Sequence, residues 1–338
     1  MLVKSKAIKV SGPKKLSIDE VMLDDSNDGV LVKVTRGGIC GSDIHYFNEG
    51  GIGDFKLLHP MTLGHEVIGV EVESGRRVAI NPSKPCNKCK YCLDGISNQC
   101  VDMEFFGSAM RNPHVNGGFS EYVQVRADQL ISYDENISDD VMAFAEPLAV
   151  AIHAVNQSGG VLGKKVLVTG CGPIGCLIIA ACSAAGASEI VATDLSERCR
   201  EIATVIGASS VYDAGDEALN QYSENKGYFD VSFEASGAIP AIHHCIDVTK
   251  AYGNFVQVGM RPGMVEIPLT KILAKEIKFS GSFRFTSEFV TAVEWLEKGL
   301  IDPLPLLTKT FDYKEIIGAI ELANDKNKAM KVQISFKD

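Results

Sequence analysis

The sequence predicts an α/β chain built from a doubly wound parallel sheet of the Rossmann type together with a second, mostly β unit. Apolar strands alternate with helical stretches from Lys165 onward, which implies parallel strands joined by helical crossovers. One strand–helix junction in that run carries a glycine fingerprint for a dinucleotide. The first 150 residues lack this alternation and show short period-two segments instead.

In the N-terminal part, Gly29–Val34 and Arg77–Ile80 alternate apolar and polar side chains between turn residues, as half-buried strands do. The texture changes near Gly159-Gly160. Val166–Thr169 then reads as a strand, Ile174–Ala185 as a helix, Ile190–Thr193 as a strand and Glu197–Ile206 as a helix. Tyr228–Phe233, Asn254–Val258 and Ile277–Gly281 are further strands. After about Thr286 the repeating unit stops. Phe289, Ala292, Val293 and Leu296 are spaced for an amphipathic helix, and Lys331–Phe336 for a final strand. These segments are expected to return to the first domain, which gives a division into 1–155 with 287–338, and 156–286 between them.

A chain of 338 residues suits two domains, and 46 % apolar with 22 % charged residues is ordinary for a globular protein. A net charge of −10 argues against nucleic acid or an anionic membrane as the main partner, because both reward a basic face. The opening MLVKSKAIKVSGPKKL has no apolar core and no small-residue cleavage site, so a cytoplasmic location is expected. Val166–Ser188 is uncharged and long enough to span a bilayer. Glycines and Pro173 interrupt it where a strand–turn–helix needs them, so no membrane span is expected.

The fingerprint is Gly170-Cys171-Gly172-Pro173-Ile174-Gly175, directly after a strand and opening a helix. Gly170 permits the turn, Gly172 lets the backbone approach a pyrophosphate, and Gly175 lets helix and strand pack closely. The helix N-terminus offers free N–H groups to the phosphates. Asp194 ends the next strand 19 residues beyond Gly175, placed to accept hydrogen bonds from ribose hydroxyls. Its charge favours NAD, while Arg198 and Arg200 nearby keep NADP open. Gly259 is counted with the cofactor residues.

Ten cysteines are many, and Cys86-x2-Cys89-x2-Cys92-x7-Cys100 crowds four of them into one short stretch. Without a secretory signal this spacing points to a closed, structural zinc site. Cys171, Cys176, Cys182, Cys199 and Cys245 fall in apolar segments and read as buried hydrophobes. A second metal constellation is dispersed: Cys40, His65 with Glu66, and Glu146. A catalytic zinc takes three protein ligands and an open position, but spacing alone does not single these residues out.

With these motifs together, the chain resembles the zinc-containing medium-chain alcohol dehydrogenases over essentially its whole length. GHEVIG around His65 is the family's specific signature. GGICGSDIHY, INPSKPC, FFGSAM, PHVNGGF, FAEPLAVAIHA and GSFRFTSEF place the chain nearest the sorbitol dehydrogenase branch. The resemblance implies that the first domain is GroES-like and that Cys40, His65 and Glu146 hold a catalytic zinc. Glu66 stands beside them as an exchangeable ligand or a base, and which glutamate binds directly stays open. It further implies a proton relay through Ser42 and His45, and a substrate pocket with Tyr46, Phe106, Glu146 and Arg284. Arg284 is the cation a sugar acid needs for its carboxylate. Lys84, Arg36, Arg111 and His114 are weaker choices, and His153 reads as a core histidine. The stretch GVEVESGRRV is shorter than the branch leads one to expect, trimming a surface hairpin.

The implied reaction is hydride transfer between NAD(P) and a secondary hydroxyl of a sugar acid, L-idonate giving 5-keto-D-gluconate. A neutral polyol such as sorbitol or xylitol, or L-threonine, is the alternative within the same machinery. A catalytically silent nucleotide-binding protein is the alternative outside it. The resemblance implies a homodimer or homotetramer paired through the apolar edge Ile277–Phe283.

Overall fold

The computed structural model describes residues 2–24 and 29–337. Residues 1, 25–28 and 338, which fall in the expected zinc-binding domain, lie outside the described residues. The chain packs as two compact units: Met1–Glu146 with Phe289–Gly299 and Leu307–Asp338, and Pro147–Glu288 with Leu300–Leu306.

In the first unit the alternating segment read at Gly29–Val34 becomes the strand Val30–Gly38. It lies inside a seven-stranded sheet whose order is Leu130–Ser132, Arg77–Ile80, Glu66–Glu71, Val30–Gly38, Lys331–Ser335, Leu307–Asp312, with Tyr122–Val125 also paired to it. Its inward residues Val32 and Val34 are fully buried with Val67, Val78, Ile80, Phe119, Val332 and Ile334. The register sets Gly38 opposite Glu66 on one neighbour and Gln333 on the other. The stretch expected to form a trimmed hairpin is a tight turn between Glu66–Glu71 and Arg77–Ile80. It is closed by Arg76, whose Nη2 is 2.7 Å from Glu71 Oε2.

The second unit holds six parallel strands in the order Ser210–Asp213, Glu189–Asp194, Lys165–Thr169, Phe229–Glu234, Thr249–Gln257, Lys278–Gly281. The α/β, doubly wound reading therefore agrees with the structure. The order reverses between Lys165–Thr169 and Phe229–Glu234, and sheets of this kind bind ligands at the carboxyl ends of the strands there. The uncharged stretch from Val166 is a strand, a turn and the helix Pro173–Ala184, most of which is buried. No helix among the described residues is long and apolar enough to cross a membrane. Ser210–Asp213 has no counterpart in the sequence reading. It is four residues long and only half-buried, so it carries no apolar run.

Candidate active site and metal centres

The fingerprint turn follows the geometry its glycines dictate. Gly170 has φ +87°, and a Cβ on Gly175 would stand 1.8 Å from Gly170 O, so helix and strand meet only without a side chain. Gly172 is the N-cap of Pro173–Ala184, and a Cβ there would meet open space. That is the cradle a pyrophosphate needs at a helix N-terminus, where Pro173 and Ile174 open the first turn. Asp194 Oδ2 accepts from Cys171 N at 2.7 Å and Oδ1 from Ser196 N at 2.8 Å, which fixes the carboxylate beside the turn. Arg200 is engaged by Asp194 O at 2.7 Å and Asp213 Oδ2 at 2.9 Å, and Arg198 is half-buried nearby in sequence. Gly259 closes on the neighbouring loop, since a Cβ there would lie 2.3 Å from Gly237 N.

The four-cysteine lobe has the dimensions of a metal site. Its sulfurs lie 4.0 Å (Cys86–Cys92), 3.5 Å (Cys89–Cys92) and 3.9 Å (Cys89–Cys100) apart. A tetrahedral zinc with Zn–S near 2.3 Å spaces its sulfurs about 3.8 Å apart. Backbone N–H groups of Cys86 and Cys89 point at Cys100 Sγ and Cys86 Sγ, both at 3.3 Å. Backbone donation from Cys92 and Val101 lowers the Cys89 thiol to about 6, while burial pushes Cys92 up to about 12. All ten cysteines are free thiols.

The second cluster gathers at one end of the large sheet. Cys40 is the N-cap of the helix Gly41–Glu49, His65 precedes the strand Glu66–Glu71, and Glu66 begins it. One ligand atom from each lies within 4.8 Å of the others. A sulfur, a nitrogen and an oxygen converging on one point fit a three-ligand catalytic zinc. Glu146, in the first turn of the helix Ala145–Gln157, is outside that converging set. It is buried and feels the charges of His65, Glu66 and Cys40. Burial, then Glu66, pushes the Cys40 thiol up to about 11. Burial, against the pull of His65, raises the Glu146 carboxyl to about 8. Metal binding at thiol and carboxyl groups releases protons, so a divalent cation would offset the upward push of burial on Cys40 and Glu146.

Two residues that build this cluster escaped the sequence reading. Asp43 is fully buried, and its carboxylate accepts from Cys40 N at 3.0 Å and Gly64 N at 3.0 Å. It braces the two ligand-bearing segments, and its only signal is the C-x-x-D capping pattern. Lys331 is buried against Glu66, with which it forms an ion pair. Its signal is a lysine opening a short strand, KVQIS, that is otherwise uncharged.

Other expected residues lie as follows. Ser42 Oγ is buried with no hydrogen-bond partner, whereas the exposed His45 ring bonds Glu49 Oε1 at 2.8 Å. Tyr46 is a core residue whose hydroxyl accepts from Ala109 N at 2.9 Å. Phe106 lines a cavity of about 430 Å³ with Lys84, Glu104, Gln124 and Arg126, and none of the metal-cluster residues borders it. Arg284 belongs to the second unit, with φ +54° and its guanidinium 4.9 Å from the Phe283 ring. Arg36 and Arg111 are paired with Asp140 and Asp102, both at 2.9 Å. His114 Nε2 takes Leu58 N at 2.9 Å.

Comparison with known proteins matches residues 26–135 to the alcohol dehydrogenase GroES-like domain and residues 173–298 to the zinc-binding dehydrogenase domain. L-idonate 5-dehydrogenase (NAD(P)(+)) of Escherichia coli K12 is 49 % identical over 343 residues, covering 99 % of this chain and 100 % of that one. The chain belongs to the zinc-binding alcohol dehydrogenase family. Like other members of this family, it is a zinc-dependent, NAD(P)-linked oxidoreductase acting on an alcohol or polyol. The crystal structure of the E. coli L-idonate 5-dehydrogenase superposes with a TM-score of 0.98 at 48 % identity, with 99 % of each chain covered. Sorbitol dehydrogenase of Bacillus subtilis is 31 % identical, covering 97 % of this chain and 96 % of its own.

Proposed function

We propose that this dehydrogenase interconverts L-idonate and 5-keto-D-gluconate, removing hydride from the secondary C5 hydroxyl. The observation that carries the substrate is the 49 % identity, end to end, to a relative bearing that activity in its name. The chemistry rests on the convergence of Cys40, His65 and Glu66. Cys40 and His65 would hold the catalytic zinc with Glu146 or Glu66 as third ligand, and Cys86, Cys89, Cys92 and Cys100 the structural one. Zinc bound there would supply Lewis-acid polarisation of the substrate hydroxyl, and a bound nicotinamide would supply the hydride acceptor.

The chain's own groups do the rest. Ser42 Oγ, with its hydrogen-bond capacity unspent, would accept the hydroxyl proton as it gives up its own, and the relay would end at the exposed His45, which releases a proton to solvent. Asp194, seated by two backbone N–H groups, receives the ribose hydroxyls. NAD is the preferred cofactor, because that carboxylate repels a 2′-phosphate and Arg200 is already paired. Arg284 would receive the sugar-acid carboxylate, and Tyr46 and Phe106 are further proposed substrate contacts. The functional division proposed is 1–155 with 287–338, and 156–286, whereas the compact units change over at Glu146 and Pro147 and place Leu300–Leu306 with the second.

A homodimer, or a tetramer built from it, fits the exposed edge strand Lys278–Gly281. Phe279 is 44 % exposed on that strand, and Leu273 is 75 % exposed on the preceding helix. Light scattering on the eluting protein decides this, and a monomer would refute it. Free thiols throughout support a cytoplasmic setting.

A neutral polyol is the second reading, supported by the 31 % identity to a sorbitol dehydrogenase. Initial rates of NADH formation with L-idonate, D-sorbitol and L-threonine, before and after zinc chelation, separate the two. A chelator-sensitive rate highest on L-idonate is expected, and a higher rate on sorbitol moves the enzyme to the polyol class. Silence on all three, with zinc at the first site missing, leaves a nucleotide-binding protein without catalysis.

A further inference from the structure

Arg284 stands on a turn that is pinned from below. Its left-handed backbone, φ +54°, is costly for a residue with a side chain and persists where the surroundings over-determine it. Four residues later the buried Glu288 begins the helix Glu288–Glu297. Its Oε2 accepts from Thr286 N at 2.8 Å and Thr286 Oγ1 at 2.9 Å, which closes the turn. Its Oε1 accepts from His153 Nδ1 at 2.9 Å and Asn156 Nδ2 at 3.0 Å. The other ring nitrogen of His153 faces Gln157 Nε2 at 3.3 Å, so a neutral imidazole with its proton on Nδ1 is satisfied on both sides. Burial raises the Glu288 carboxyl, but donation from His153, Asn156 and the Thr286 backbone outweighs it and holds the group well below the usual carboxylate range. Phe285 and Phe289 seal the turn, at 1 % and 2 % exposure.

His153 and Asn156 lie on the helix Ala145–Gln157, whose first turn carries Glu146. His153 follows Glu146 by seven residues, two turns along nearly the same face. An apolar pair would pack a helix against a turn with no desolvation cost, and a buried His–Glu pair adds little net stability over one. What it adds is direction, because four hydrogen bonds to one carboxylate fix the turn's orientation on the helix.

We propose that His153 and Glu288 are a positioning pair for substrate selectivity, fastening the Arg284 turn to the helix that bears Glu146. This rests on the reading of Arg284 as the carboxylate-binding residue. Neither His153 nor Glu288 touches substrate. They hold the recognising cation in register with the helix that serves the chemistry.

The test is kcat and KM for L-idonate and D-sorbitol, at saturating NAD, in zinc-loaded wild type and in the variants Arg284→Ala, His153→Ala, His153→Asn and Glu288→Ala. Arg284→Ala is expected to lower kcat/KM for L-idonate about tenfold or more, chiefly through KM, with little change on sorbitol. His153→Ala and Glu288→Ala should lower the acid-to-polyol ratio about three- to tenfold in the same direction. His153→Asn keeps a donor at the Nδ1 position and should recover most of the loss. Equal losses on both substrates, or an unchanged ratio, in His153→Ala and Glu288→Ala while Arg284→Ala is selective would overturn the pair and leave the Arg284 reading intact. An unselective Arg284→Ala would sink both. Should His153→Ala fail to fold, Thr286→Val is isosteric and removes only the hydroxyl donated to Glu288. A selective loss of about twofold supports the pair, and an unchanged ratio overturns it.

Discussion

Lys331 Nζ meets Glu66 Oε2 in the space that Gly38 leaves open between their strands. The two side chains are 3 % and 1 % exposed, and a Cβ on Gly38 would stand 2.0 Å from that same oxygen. The register explains the meeting, since Gly38 faces Glu66 on one neighbouring strand and Gln333 on the other. Together with His65, the lysine opposes the upward push of burial on Glu146, and it does the same for Cys40.

Lys331→Met removes that cation and strands a buried carboxylate. Breaking a buried pair from one side costs about 3–5 kcal/mol, so a clear fall in denaturant midpoint is expected. Chemical unfolding of the zinc-loaded protein reads this directly. An unchanged midpoint would mean that Glu66 finds another partner.

Asp43→Ala withdraws the acceptor from Cys40 N and Gly64 N together. Each buried N–H left unpaired costs about 1–3 kcal/mol, and the segments bearing Cys40 and His65 lose their brace. Zinc at the first site is expected to weaken about 10- to 100-fold, while the four-cysteine site keeps its metal. Metal analysis after dialysis against a graded chelator should fall from two zincs to one, and simultaneous loss of both would point to general unfolding instead.

Gly175→Ala forces a methyl into Gly170 O. Titration of NADH by fluorescence should show binding weakened by about tenfold or more, since the helix must withdraw from the strand that seats the pyrophosphate. Zinc content stays at two because both metal clusters lie in the other unit. Unimpaired NADH binding would place the cofactor elsewhere.

Asp139 supplies a pH signature independent of the metals. Burial alone would raise its carboxyl, but Lys337, Thr35 and Arg77 more than offset this and hold it below its ordinary range. A depressed folded-state value stabilises above the unfolded value of about 3.9 and is lost as pH falls through the folded one. Asp139→Asn should therefore cost about 2 kcal/mol at pH 7 and progressively less below pH 4. Unfolding curves at both pH values check this, and a gap that stays constant would show that the loss is one of packing.

The parallel sheet was legible because strands covered on both faces run as continuous apolar stretches, as Val166–Thr169 and Ile190–Thr193 do. The fingerprint and the four-cysteine lobe were legible because their spacing is local. Lys331 and Glu66 were not legible as a pair, because their meeting depends on a register between strands far apart in sequence. The same holds for His153: a satisfied core histidine could be read from its apolar helix, but its partner Glu288 could not. Ser210–Asp213 escaped because a half-buried four-residue strand has no pattern longer than chance.

The strand Val30–Gly38 sits between neighbours from opposite ends of the described sequence, and this orders the enzyme's assembly in time. During synthesis the nucleotide-binding sheet emerges as one nearly contiguous run and can close on its own residues. The large sheet has to wait: Tyr122–Val125 covers the first half of its central strand, but the end from Arg36 to Gly38 stays unpaired on one side until Lys331–Ser335 has been made. Until then Glu66 lacks its Lys331 counter-charge and the Arg36–Gly38 stretch has no partner on that side, so the nascent chain carries an open edge through most of its translation. Catalytic competence is thus acquired late, and the interval before it is when a chaperone would find most to hold.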